Sequence, residues 1–370
     1  MNTVRSAALI VLSFFLPQGD ARAQTAAPPA VPSAPLQFAS FGDFKLRSGE
    51  TIRDFRLGYR TLGTLNAARS NAILWPSWLD GRSDELLPYA GPGNVVDTEK
   101  YFVILVDAIG NGISTSPSNS KVQPRMKFPK FSMQDMVESE YRLATEKLGL
   151  THLHAVMGIS MGGMQTFVWA AMHGDFMDLA IPMAGSPQAT SYDKLLWNSE
   201  IDAVELDPAW NNGNPSRPLT SGVAVAEEID SMNLTSPEYR ASKTGREEFD
   251  TFLGDLKKHS QADGGSVSDW IRQRQAIISL DLPRDLGMSL NQIAERTRGK
   301  ILIVVPTRDH MVNPGPAMQF AAAVGAPLIE LDSACGHLSF TCISIGPLVA
   351  QFLADPSSVH SQTLHEAPLH

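Results

Sequence analysis

Apolar residues in this chain gather in short runs separated by longer amphipathic stretches, and that rhythm predicts the elements. Residues 36–46 and 52–61 read as extended segments joined by a turn at Arg47-Ser48-Gly49-Glu50, the second alternating apolar and polar positions as a half-exposed strand does. Residues 71–75 are a short apolar run closed by Pro76, and 101–106 a nearly continuous one of the kind buried parallel strands carry. Ser132-Met133-Gln134-Asp135 reads as the capped start of a helix that runs to Leu148 and stops at Gly149. Further strands are predicted over 153–157, 177–183, 301–306 and 327–331, with helices over 164–171, 314–324 and 340–353. Strands alternating with helices at these intervals imply a mostly parallel sheet covered on both faces.

Between residues 186 and 299 the rhythm changes: the stretch is charged, shows helical periodicity over 246–259 and 267–278, and has no clear strand. It reads as a helical lid inserted into a core made of residues 36–185 and 300–355, with 356–370 as a C-terminal tail that frays from Thr363. At the other end, Arg5, a short apolar run over 7–16 and Ala21-Arg22-Ala23 have the form of a signal peptide, cleavage being expected after Ala23. Asp20 and Arg22 beside the cut leave a retained N-terminal anchor as the alternative. Residues 24–35, rich in Ala and Pro, read as a tether. These features predict a periplasmic or secreted protein without a membrane span after cleavage.

Composition narrows the function. At 370 residues, 43% apolar and 19% charged, the chain has the make-up of a folded globular protein. Its net charge of −9 becomes −10 when Arg5, Arg22 and Asp20 leave with the signal peptide, and without a basic run this argues against nucleic acid and anionic membrane surfaces. Cys335 and Cys342 are the only cysteines; they lack the spacing of a zinc site, and either pair in an oxidising compartment or remain two small buried side chains. Neither a metal cluster, a phosphate loop nor a dinucleotide fingerprint occurs, so no cofactor is expected.

The chemistry centres on Gly158-Ile159-Ser160-Met161-Gly162-Gly163, which lies between a predicted strand and a predicted helix. That context suits a nucleophile elbow, a turn so tight that the positions two before and two after the serine must be small. A serine hydroxyl needs a base, and the base needs an orienting acid. Asp309, just past the strand 301–306, and His337, past 327–331, occupy the expected places in the order Ser, Asp, His. Two backbone amides are needed to stabilise an oxyanion. One is Met161; Pro76 has no N–H, so the other is Ser77 or Trp78, of which Trp78 is preferred. Trp78, Met161, Met164, Leu195, Leu196 and Trp197 suggest a partly apolar pocket for a small acyl substrate, although Met and Trp are common core residues.

The elbow with its extension, G-I-S-M-G-G-M-Q-T-F-V-W-A, resembles that of the homoserine O-acetyltransferase group of α/β-hydrolase-fold proteins. So do L-R-S-G-E-T-I-R-D-F-R-L-G-Y-R-T-L-G-T-L-N, F-P-K-F-S-M-Q-D-M-V and D-P-A-W-N-N-G, and the resemblance spans most of residues 37–353. It implies an eight-stranded sheet with a helical lid, Ser160, Asp309 and His337 as a triad, acyl transfer through an acyl-serine, and a homodimer joined through the lid. Two positions depart from that pattern. The transferases carry an arginine for the acceptor's carboxylate where this chain has Ile201, and an aspartate for its ammonium group where this chain has Leu338. The expected function is therefore an exported serine hydrolase acting on an ester or related acyl bond. The alternatives are an acyltransferase with a different acceptor, a non-catalytic binding protein on the same scaffold, and cofactor-independent oxidation or lyase chemistry there.

Overall fold

The computed structural model describes residues 33–92, 94–258, 260–296 and 300–366; the expected signal peptide and most of the Ala/Pro tether lie outside them. The chain opens with strands β1 (Gln37–Lys45) and β2 (Thr51–Leu62), paired antiparallel across the turn that Gly49 closes at φ +89°. Strands β3 (Ala72–Pro76) and β4 (Phe102–Val106) follow, almost wholly buried, as their unbroken apolar runs require. Helix α1 (Met133–Arg142) starts on a complete Ser132/Asp135 capping box and continues into a π turn over Leu143–Lys147. Then come β5 (Leu153–Ile159), α2 (Met161–His173) and β6 (Met177–Met183).

The inserted segment is helical: α3 (Ser191–Glu205), α4 (Ser221–Leu234), α5 (Pro237–Lys243), α6 (Phe249–Lys258), α7 (Gly264–Ser279), α8 (Leu282–Leu286) and α9 (Leu290–Arg296). The sheet resumes with β7 (Lys300–Ile301) and β8 (Ile303–Pro306), then α10 (Gly315–Val324) and β9 (Leu328–Asp332). Short α11 (Ser339–Cys342), α12 (Gly346–Ala354) and strand β10 (Gln362–His365) complete the chain.

The strands form one sheet in the order β1-β2-β4-β3-β5-β6-β8-β9-β10, with β7 also paired to β6. From β4 onward the pairings are parallel; β2 joins β4 antiparallel. Large apolar clusters fill both faces, one including Phe55, Phe128, Phe167, Trp169 and Phe320, the other Trp75, Ile181, Leu331 and Phe352. Among the described residues no single helix is long and apolar enough to cross a membrane.

Three local expectations change. Among the described residues the sheet has ten strands rather than eight: Leu302 leaves the ladder between β7 and β8, and residues 362–365 of the expected tail pair with β9. That edge strand is held by backbone registry, by Ser361 Oγ accepting from Leu328 N at 3.0 Å, and by the buried Val359 before it. The helix expected over 340–353 is two, α11 and α12, because Gly346-Pro347 opens a new helix where proline's missing N–H does no harm.

Candidate active site

The loops beyond the C-terminal ends of β3, β5, β8 and β9 supply the site. After β5 the chain enters Ser160 at φ 57°, ψ −121°, a conformation that costs a non-glycine residue about 1–3 kcal/mol and persists only where the surroundings enforce it. Here they do. A Cβ on Gly158 would stand 2.3 Å from the Gly162 carbonyl, and one on Gly162 would stand 2.6 Å from the Pro76 carbonyl oxygen. The elbow is further pinned by Ser160 N–H donating to Met183 O at 2.9 Å and by Met164 N–H donating to Ser160 O at 2.9 Å. Its hydroxyl caps nothing in α2 and is turned to the imidazole of His337, with Oγ 2.8 Å from Nε2.

Asp309 leaves β8 with both carboxylate oxygens engaged. Oδ1 accepts from the amides of Met311 and Val312, both at 2.8 Å, and Oδ2 lies 2.7 Å from His337 Nδ1. A carboxylate only accepts, so Nδ1 carries the proton and Nε2 presents its lone pair to Ser160 O–H. Both partners are shielded from water, their side chains 5% and 1% exposed for His337 and Asp309 respectively. The structure thus brings together Ser160, Asp309 and His337, residues that span 177 positions of the chain.

The loops around these groups are tied to the inserted segment. Asp193, at the start of α3, accepts from Asn313 N at 2.9 Å beside Asp309; burial pushes its carboxyl above the ordinary range although Thr190 and Asn313 donate to it. Gly336 has φ +60°, and a Cβ there would meet the backbone at Thr235 and Ser236 at 2.9 Å, so the His337 loop is pressed against the link between α4 and α5. Cys335 and Cys342 form a disulfide, Cα atoms 6.5 Å apart, around that loop.

Of the two candidates for the second oxyanion amide, Ser77 donates its N–H to Val106 O at 2.9 Å, whereas Trp78 N–H has no acceptor among the described residues. Met161 N–H is the first of α2 and has no acceptor within the helix. Gln165 Nε2 donates to Ser77 O and Met161 O, 3.3 and 3.2 Å away, and so links the two candidate donor segments. Three other histidines near the sheet have structural partners: His152 meets Asp178 at 2.8 Å, His154 meets Leu353 O at 2.9 Å, and His173 stacks on Tyr141 with its pKa lowered by burial to about 4.

A cavity of about 290 Å³ separates core loops from the inserted helices, lined by Asp80, Ile113, Val223, Asp230, Trp270 and Arg274 among others. Among the described residues, Ser160, Asp309 and His337 do not line it. Met161, Met164, Leu196 and Trp197 do not line it; they are packed in the core, while Leu195 is 68% exposed. Sequence reasoning missed Gln273 and Arg274, which reach from α7 to the loop after Trp78: Asp80 N–H donates to Gln273 Oε1 at 2.8 Å and Arg274 Nη1 to Asp80 Oδ2 at 3.0 Å. The only signal was an arginine-rich stretch, Arg272-Gln273-Arg274, set into a helical apolar pattern.

A family model described as alpha/beta hydrolase fold matches residues 87–341. A probable esterase of Corynebacterium glutamicum is 30% identical over 324 residues, covering 84% of this chain and 91% of that protein. A homoserine O-acetyltransferase of Methanosalsum zhilinae is 28% identical over 348 residues, covering 80% and 68%. The solved structure of an acetylester hydrolase from Corynebacterium glutamicum superposes with a TM-score of 0.76 at 29% identity, covering 86% of this chain and 95% of that one. With its elbow, its sheet order and these relatives, the chain belongs to the α/β-hydrolase-fold family, on the branch that holds both esterases and homoserine O-acetyltransferases.

Proposed function

We propose that this protein is a serine ester hydrolase that works through an acyl-enzyme on Ser160. The observation that carries the reading is the position of His337, with Nε2 2.8 Å from Ser160 Oγ and Nδ1 2.7 Å from Asp309. In the first half-reaction Ser160 Oγ bonds to the ester carbonyl carbon as its proton passes to His337 Nε2. Asp309 balances the imidazolium, and the Met161 and Trp78 amides hold the oxyanion. Collapse breaks the carbon–oxygen bond of the alcohol, which leaves with the proton from His337. Water then attacks the acyl carbon, His337 takes its proton and returns it to Ser160 Oγ, and the carboxylic acid departs.

Water is favoured as the second nucleophile by Ile201 and Leu338, which offer no charge to an amino-acid acceptor. An acyl group as small as acetate is suggested by the acetylester hydrolase relative. In this reading the inserted helices act as the lid, and the protein is exported; the disulfide around the His337 loop suits an oxidising compartment. A homodimer through the lid is part of the same proposal, supported by the exposed Leu195, Leu206, Met232 and Phe249 there and tested by light scattering on a sizing column.

The deciding experiment is labelling with a fluorophosphonate followed by peptide mass spectrometry. An adduct on Ser160, lost in Ser160→Ala, is expected; an adduct elsewhere or none defeats the assignment. The acyltransferase reading, favoured by the homoserine O-acetyltransferase relatives, is separated by product analysis with and without added alcohols. Hydrolysis alone, unaffected by the acceptor, is the expected result.

A further inference from the structure

Helix α7 buries an unusual set of side chains. Asp269, Arg272, Gln273 and Arg274 are 7%, 6%, 0% and 2% exposed, an arrangement that costs several kcal/mol per group unless each finds partners. Each does, and the partners belong largely to core loops. Asp269 Oδ1 accepts from Ser118 N at 2.8 Å. Arg272 donates to the carbonyls of Phe128 and Met126 at 2.9 and 2.7 Å. Gln273 accepts from Asp80 N at 2.8 Å and donates to Ile109 O at 3.0 Å. Arg274 lies with its guanidinium 3.6 Å over the Trp270 ring, donates to Asp80 at 3.0 Å and to Glu200 of α3 at 2.6 Å, and stands 3.6 Å from Asp230 of α4.

Asp80 is two residues beyond the amide assigned to the oxyanion. Its own backbone has φ 58°, and the turn that contains it is closed by Gly81 N–H donating to Trp78 O at 3.0 Å. A Cβ on Gly81 would fall 2.4 Å from the Trp78 indole, so the ring rests directly on the glycine. The turn that aims Trp78 N–H is therefore strained, compact, and gripped at Asp80 from outside the core, through both its amide and its carboxylate. A donor aimed at the wrong place contributes little, because the oxyanion must be met by groups that need not reorganise.

We propose that Gln273 and Arg274 are positioning residues for the oxyanion site: α7 sets the orientation of the Trp78 amide through Asp80, and Arg274 links that setting to α3 and α4. Stabilisation of the transition state then depends on where the inserted helices sit, even for a substrate too small to touch them. This inference rests on Ser160 as nucleophile and Trp78 as oxyanion donor.

The test uses the full chain with p-nitrophenyl acetate as substrate and a trifluoromethyl ketone as the analogue of the tetrahedral state. Gln273→Ala and Asp80→Gly are expected to lower kcat about 10–100-fold, less than outright removal of a donor, with KM within twofold and the ketone weakened by the same factor as kcat/KM. Asp80→Gly adopts positive φ without strain, so its defect reports the lost grip; Asp80→Asn, which keeps an acceptor for Arg274, should recover most of the lost turnover. Folded variants with kcat within twofold of the parent, or with a raised KM and unchanged kcat, would overturn the proposal. Should Gln273→Ala fail to fold, the Asp80 pair decides. If instead Ser160→Ala retains activity, the reading of the nucleophile has failed, whatever the Asp80 variants do.

Discussion

The core and the inserted helical segment place atoms by different physics. In the core Ser160 is fixed by steric exclusion: Gly158, Gly162 and Gly163 leave no room for a Cβ, and apolar clusters fill both faces of the sheet. The inserted segment has a smaller apolar cluster around Val204, Trp210, Leu219 and Trp270, and relies on buried charge, with Arg274 gathered among Glu200, Asp80 and Asp230. Close packing is short-ranged and is written in neighbouring residues. Hydrogen bonds between charged groups are directional and join parts of the chain far apart, such as Asp80 and Arg274, 194 positions from each other.

The difference predicts how each region breaks. The largest effect belongs to the core's chemistry: Ser160→Ala should lower ester turnover by about 10⁴-fold or more while the unfolding midpoint in urea stays within error, since the hydroxyl's removal leaves no cavity of note. Turnover within tenfold of the parent would show that the elbow is only scaffold. Next comes the inserted segment's charge: Arg274→Met leaves Glu200, Asp80 and Asp230 facing one another without their cation and should destabilise by about 3–5 kcal/mol in urea titrations. A loss under about 1 kcal/mol would mean that the apolar cluster, not the charge, holds these helices, and the contrast between the two regions would collapse.

The same contrast explains what the sequence made legible. The elbow, the order of Ser160, Asp309 and His337 and most strands follow from local rules: small residues at fixed offsets, apolar runs of strand length, an acidic residue and a histidine just after strands. The choice between Ser77 and Trp78 turns on the Ser77 N–H bond to Val106 O, which depends on tertiary placement. Strand β10 was not legible, because Gln362-Thr363-Leu364-His365 has no apolar pattern and is held by registry with β9. The grip of α7 on Asp80 was equally hidden, since nothing in the spacing of residues 80 and 273–274 connects them. Leu196 and Trp197 suit a pocket by sequence alone and are core in the structure, an ordinary ambiguity of buried apolar residues on a helix.

Between these extremes lies the Cys335–Cys342 disulfide, a covalent clamp on a core loop that also touches the inserted segment at Ser236. Closing so short a loop is worth about 2 kcal/mol by the chain-entropy argument. Replacing both cysteines with serine should lower stability by about that amount. It should also reduce turnover, because His337 lies within the clamped loop and its two hydrogen bonds require one ring position. Reduction of the parent with dithiothreitol should reproduce both effects; stability and turnover unmoved by either treatment would show that the Gly336 and Ser236 contacts suffice to hold the histidine.

One buried carboxyl from each region extends the comparison to pH. Glu140 of α1, in the core, has only the Trp169 indole N–H as a partner among the described residues, at 2.6 Å, and burial pushes its pKa up to about 8. Asp269 of α7 is likewise pushed by burial to about 8, although Ser118 donates to it. In both cases the folded value exceeds the unfolded one, so between about pH 4.5 and 8 the folded state binds more protons than the unfolded chain. Stability contributed by each group is then fully present below the unfolded pKa and declines as pH rises, by about 1.4 kcal/mol per pH unit per group, levelling off above about pH 8. Urea unfolding of the parent from pH 5 to pH 8 should show this fall, and Glu140→Gln or Asp269→Asn should each flatten it by one group's share. An unchanged slope in Glu140→Gln would mean that the core carries this carboxylate ionised. An unchanged slope in Asp269→Asn would place ionised aspartate beside the Arg274 network, making the charge of the inserted segment larger than its geometry implies and strengthening the division between a region held by shape and one held by charge.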